Sequence, residues 1–162
     1  MKQHFRMFAA YNQWANKRIY DAAADLTADE FERDVGAFFK SMMGTLNHLV
    51  AADRIWMKRF TNRGEAPSTL DHITSRDLAG LRAVREAEDR RMIEWIDSQS
   101  DKALAGRFTY MTVTDLRTVS QRLAPALDHV FNHQTHHRGQ AHAILTVLGK
   151  PSVTLDLVYF QR

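Results

Sequence analysis

The stretch LAPALDHVFNHQTHHRGQAHAILTVLGKP, residues 123–151, reads as one long helix and carries five of the chain's eight histidines. Pro125 falls near the first turn, where its missing N–H has no intrahelical partner to lose. Gly149-Lys150-Pro151 is a strong stop, so the helix runs to about Leu148. Leu123, Leu127, Val130, Ala141, Leu145 and Leu148 form its apolar stripe. At ~100° per residue, His129, His133 and His137 share a face at i, i+4 and i+8. His137 falls within the stripe and His133 on its edge. His129 is further round, and His136 and His142 lie off it. An i, i+4 pair sets two imidazoles one turn apart, close enough to share a metal ion. The HxxxH spacing alone is a weak signal. Burying two histidines is costly unless each ring nitrogen finds a partner. A metal ion meets that need, and so does a hydrogen-bonded core pair without metal.

A metal requires at least a third ligand. His48, in Thr45-Leu46-Asn47-His48, is the best candidate, midway along a second long helix. It sits roughly 120° from the centre of that helix's stripe. By periodicity alone this flank is the place of an ordinary half-buried histidine.

Glycines are few and only three prolines occur, which favours long helices. Phe5, Phe8, Asn12, Ala15, Ile19, Ala22 and Leu26 make one helical stripe, in which Asn12 needs a partner. Thr27 and Glu30 have capping-box spacing, and Leu26 with Phe31 can staple a short helix that fades by Gly36. A second long helix runs from near Ser41 to about Phe60, with Leu46, Leu49, Asp53, Trp56 and Phe60 on one face. Thr61–Ile73, with Gly64 and Pro67, is a loop. A third helix is expected from near Thr74, with Asp77 completing a capping box, through Leu78, Leu81, Arg85, Met92 and Trp95 to about Ile96. Phe108–Val113 and Arg117–Gln121, split by Asp115, suit a small hairpin. The apolar tail Ser152–Arg162 is expected to pack back on the body. The result is an all-α fold of about four main helices with a small β-hairpin before the last, as one domain over residues 1–162.

A chain of 162 residues buries roughly 70% of its unfolded surface, enough for a core without disulfides. It has no cysteine, which removes disulfides, a thiolate nucleophile and Cys-ligated zinc. No apolar run approaches the ~20 residues of a membrane span. Asn12 and Gln13 interrupt the N-terminus where a secretory signal would still be apolar, so a cytoplasmic protein is expected. The net charge of +3 is spread among acids. Arg82, Arg85, Arg90 and Arg91 are interleaved with Glu86, Glu88, Asp89 and Glu94, which reads as a solvated helix face. No nucleic-acid partner is expected. There is no HExxH helix, GxSxG elbow or phosphate-binding glycine loop.

Four stretches resemble a known family. Tyr11-Asn12-Gln13-Trp14-Ala15-Asn16 matches its opening helix, and Gly44-Thr45-Leu46-Asn47-His48-Leu49 with Asp53 and Trp56 its second. Asn132-His133-Gln134-Thr135-His136-His137-Arg138-Gly139-Gln140 is the most specific, and the Asp156–Phe160 tail also fits. Over nearly all its length the chain resembles the DinB-like (YfiT-like) metalloenzymes of the damage-inducible DinB family, with no departure at a ligand position. The resemblance implies an up-down-down-up four-helix bundle, a homodimer, and a divalent ion, zinc or nickel, on His48, His133 and His137. It also implies, for some relatives, thiol-dependent S-transfer or isomerisation.

Three neutral histidines leave a coordination position open, the pattern of a catalytic rather than a structural site. With no cysteine in the chain, any thiol there comes from a small-molecule cosubstrate. The leading expectation is a metal-dependent S-transferase or hydrolase. The alternative is a non-catalytic stress-response or binding module with a structural metal. Asn47, Asn132 and Gln140 are candidates to orient ligand rings. Gln134 is a candidate partner of Asn12, and Arg138 of Asp53 or an anionic substrate. His136 is either a general base or surface-facing. Tyr159 and Phe160 are placed to cover a partner or the chain's own core.

Overall fold

The structure is a computed structural model that describes residues 1–112 and 115–162. Four long helices carry the fold: α1 (Lys2–Ala23), α3 (Met42–Thr61), α4 (Leu78–Ser98) and α6 (Leu123–Val147). Between and after them come short α2 (Ala28–Glu32), α5 (Asp101–Leu104) and α7 (Leu157–Phe160), and the strands β1 (Arg107–Met111) and β2 (Thr118–Arg122).

Side-chain pairs give the helix directions. Along α1, Arg6, Asn16 and Asp21 meet Asp97, Asp89 and Arg82 of α4 in turn, so these two run antiparallel. His4, Phe8 and Asn12 meet Asp128, Phe131 and Arg138, so α1 and α6 run parallel. His48, Asp53 and Trp56 of α3 meet His137, Gln134 and His129, so α3 opposes α6. Asp53, Arg54 and Thr61 meet Arg85, Glu88 and Arg91, so α3 and α4 run parallel. The topology is up-down-down-up. The segment between α3 and α4 must therefore travel back along the bundle, and it passes over His48 on the way.

Capping explains most element ends. Thr27 and Glu30 form the capping box of α2, and the Ser41 hydroxyl accepts from the Gly44 N–H at the start of α3. The third long helix begins later than the Thr74 start read from the sequence. The Thr74 and Ser75 N–H groups both donate to Asn47 Oδ1, at 2.7 and 3.1 Å, which ties this segment to α3. Asp77 is the cap itself, accepting from the Gly80 N–H at 2.7 Å. At the end of α6, Gly149 takes φ +72° and the Lys150 N–H reaches the Leu145 carbonyl, a left-handed stop. The hairpin pairs Arg107 with Arg122 through Met111 with Thr118. The expected first strand reached Val113, which lies outside the described residues.

Two apolar clusters fill the bundle ends. One gathers Ile19, Phe31, Leu46, Leu81 and Leu145, the other Phe5, Met57, Ile96, Leu127 and Phe131. Between them lies a buried polar layer. Arg85 Nη2 bridges Asp53 at 2.7 Å and Asp89 at 3.0 Å. Asn16 and Asn12 donate to Asp89 at 3.0 and 3.3 Å, and Arg138 donates to the oxygens of both asparagines. Gln134 donates to Asp53 at 2.6 Å and to the Leu49 carbonyl at 3.1 Å.

This layer corrects three expectations. Arg85, Glu88 and Asp89 are buried, so that part of α4 is not a solvated face, although Glu86, Arg90 and Glu94 are exposed. An i, i+4 Arg–Asp pair is charge-neutral and can turn inward when facing helices supply partners for its remaining polar atoms, here Asp53 for Arg85 and Asn12 and Asn16 for Asp89. Asn12 is partnered by Asp89 and Arg138 rather than by Gln134. Arg138 accordingly meets Asn12 and Asn16, and Arg85 takes Asp53 instead.

The tail packs back as expected. The Tyr11 hydroxyl donates to the Leu155 carbonyl at 2.7 Å, and Phe160 lies against Tyr11 and Trp14. Among the described residues no helix is long and apolar enough to cross a membrane.

Candidate metal centre

The antiparallel pairing of α3 and α6 sets His48 against His133 and His137. His48 Nε2 and His133 Nε2 are 3.3 Å apart. The ring centroids of His137 lie 4.4 Å from His48 and 4.3 Å from His133. One ring nitrogen from each histidine falls within 4.8 Å of the others. Two nitrogens about 2.05 Å from a tetrahedral ion are themselves about 3.3 Å apart, so the closest pair already has a metal-binding spacing.

The opposite ring nitrogens decide which atoms face inward. His48 Nδ1 donates to the Leu70 carbonyl at 2.8 Å, which leaves Nε2 with its lone pair. His137 Nδ1 donates to Gln140 Oε1 at 2.7 Å, and the Gln140 amide in turn donates to His136 Nε2 at 3.2 Å. Such outer partners fix ring tautomer and orientation. Burial pushes the His48 pKa down to about 4, partly opposed by its bond to Leu70. Burial, reinforced by the neighbouring rings, takes His133 to about 3. Burial also lowers His137. All three are therefore neutral near pH 7, the protonation state a metal ligand needs.

Phe39 completes the wall. Its ring stacks on His48 at 3.9 Å and meets His137 edge-on at 5.6 Å. This close approach depends on Gly44, since a Cβ there would stand 2.1 Å from the Phe39 carbonyl oxygen.

Other residues singled out in the sequence fall elsewhere. His129 shares the helix face but packs on Trp56 at 5.2 Å, outside the trio. His136 is exposed, and His142 pairs with the Ser152 hydroxyl. Asn132 is exposed and orients no ring, whereas Gln140 does. Asn47 acts at one remove: it anchors Thr74 and Ser75, in the same crossover whose Leu70 carbonyl holds His48. Leu70 and Phe39 escaped the sequence reading because both lie outside the long helices, where periodicity says nothing. The site opens beside His133 into a recess of about 360 Å³ lined by His129, Asn132, Thr135 and His136. Three larger recesses, of about 480, 550 and 430 Å³, lie between α1 and α4, between α1, α6 and the tail, and beside Phe39, Gly44 and Asp71, and none is lined by the trio.

The sequence profile of the DinB family matches residues 1–162. The chain belongs to the DinB family. The protein DinB of Bacillus subtilis (strain 168) is similar to it, 23% identical over 152 residues that cover 90% of this chain and 87% of that protein. For a DinB-family chain, the family and the trio of histidines together fit a metal-binding protein.

Proposed function

We propose that His48, His133 and His137 of this DinB-family protein hold one divalent ion, zinc or nickel, in an enzyme of the thiol S-transferase or hydrolase type. The observation that carries the reading is the convergence of three neutral ring nitrogens, two of whose rings are pinned from behind by Leu70 and Gln140. A bound divalent ion would supply Lewis acidity to a water or thiol at its open position.

The chain's own residues set the rest. His48 and His137 are held at fixed angles by their outer hydrogen bonds. Phe39 shuts water out from one side, and the recess beside His133 admits a reactant from the other. His136 lines that mouth and is exposed, placed to move a proton at its Nδ1. The chain lacks cysteine, so a thiol would arrive as cosubstrate. A structural-metal module would call for a closed four-ligand shell, and among the described residues no fourth histidine or carboxylate joins the trio. Assembly as a homodimer is part of the same proposal. Phe160 covers its own chain, which leaves Tyr159, 55% exposed, as the free aromatic of the tail. Sedimentation velocity checks it.

Elemental analysis of the purified protein beside His137→Ala tests the site. The expected result is about one ion per chain, falling to background in the variant. Equal content in both would remove His137 as a ligand.

A further inference from the structure

Arg59, in the last turn of α3, has no salt-bridge partner among the described residues. Its guanidinium carbon lies 4.5 Å from the ring centre of Trp56 and 4.5 Å from that of Tyr110 on β1. Among the described residues no carboxylate lies within 4.0 Å of it. Its Nε is enclosed without a partner among the described residues, and the side chain as a whole is half-buried. The nearby arginines are treated differently. Arg85 has Asp53 and Asp89, Arg54 and Arg91 share Glu88, and Arg82 has Asp21.

A half-buried guanidinium without a counter-ion is costly. Two aromatic faces offset part of that cost and fix the plane of the group. Held this way, its Nη edge presents a planar fork that suits a carboxylate or a phosphate. The position relates it to the histidines. Trp56 touches His129 at 5.2 Å, and His129 touches His133 at 5.8 Å, on the rim of the recess that opens beside His133.

We propose that Arg59 is the anion-binding residue of the three-histidine site, taking a carboxylate or phosphate of the reactant whose other end faces the histidines. The second half rests on the metal-site reading above; the anion-binding half stands without it.

The first experiment uses metal-free protein. Succinate, inorganic phosphate and the uncharged succinamide are titrated separately while NMR follows the Trp56 indole N–H and the Arg59 Nε–H. Saturable shifts are expected with succinate, phosphate or both, and none with succinamide. The stronger of the two anions identifies the source of the charge. Arg59→Gln is expected to weaken that binding at least tenfold. No saturable shift with either anion, equal response to succinamide, or unchanged affinity in Arg59→Gln overturns the proposal. A residue that only pins the hairpin would lower the melting temperature on substitution and leave wild-type discrimination between succinate and succinamide absent. If Arg59→Gln does not fold, Arg59→Lys replaces it. The lysine keeps the charge and loses the fork, and affinity equal to wild type counts against Arg59.

The second experiment uses cobalt-loaded protein. Mercaptosuccinate and 2-mercaptoethanol are compared through their sulfur-to-cobalt absorption. Wild type is expected to prefer mercaptosuccinate at least tenfold, and Arg59→Gln to lose the preference with its cobalt content unchanged. Equal preference in both proteins overturns the role at this site. Failure to take up cobalt sinks the metal reading instead, and the metal-free titration still decides Arg59.

Discussion

At His48 a single ring answers to three parts of the chain. Its Nδ1 is taken by the Leu70 carbonyl, its face by Phe39, and its Nε2 is left toward His133. The same burial that frees the lone pair makes protonation costly. The ordinary histidine value of 6.5 falls to about 4 at His48 and about 3 at His133. Between the folded and unfolded values the unfolded chain binds more protons, so stability rises with pH there. The metal-free protein is therefore expected to be fully stable above about pH 6.5 and to lose stability as the pH falls towards 4, as the unfolded histidines take up protons. Urea unfolding across that range measures it. Replacing His133 with Leu should flatten the curve; an unchanged slope would mean the buried rings do not govern it.

At the scale of elements, two contacts are decisive. The first is between α3 and the turn before it. In Gly44→Ala the new Cβ would overlap the Phe39 carbonyl, and Phe39 would have to leave His48. Overpacking of this kind costs about 1–3 kcal/mol. Disturbing a ligand's support lowers metal affinity about 10–100-fold. Cobalt titration together with urea unfolding reads both effects. The second contact is Arg85 of α4 between Asp53 of α3 and Asp89. Arg85→Met leaves two buried carboxylates without their cation and is expected to cost about 3–5 kcal/mol. If unfolding shows under about 1 kcal/mol, the layer relaxes or takes in water, contrary to the packing seen here.

Over the whole molecule, the proposed metal site joins two helices far apart along the chain, α3 and α6. An ion bound only by the folded state adds about 2.7 kcal/mol at a concentration 100 times its Kd. Zinc or nickel is thus expected to raise the melting temperature and a chelator to reverse the rise. His137→Ala should abolish the response without unfolding the bundle, because the two apolar clusters do not include it. A rise of the same size in that variant would place the ion elsewhere.

Helical periodicity and stop signals were enough to determine, from the sequence, the four long helices, the capping box at Thr27, the end of α6 at Gly149 and the inward face of His133 and His137. Each rests on neighbours three or four residues apart, within reach of a local argument. His48 entered the trio through family resemblance, since its own helix put it only on a flank. The structure decided what long-range pairing alone can decide. It moved the start of α4 from Thr74 to Asp77 through Asn47, turned Arg85 and Asp89 inward towards Asp53, and left His129 with Trp56. It also supplied the Leu70 carbonyl and the Phe39 ring. A loop backbone and a turn residue carry no period, and only the parallel run of α3 and α4, with its returning crossover, brings Leu70 to His48.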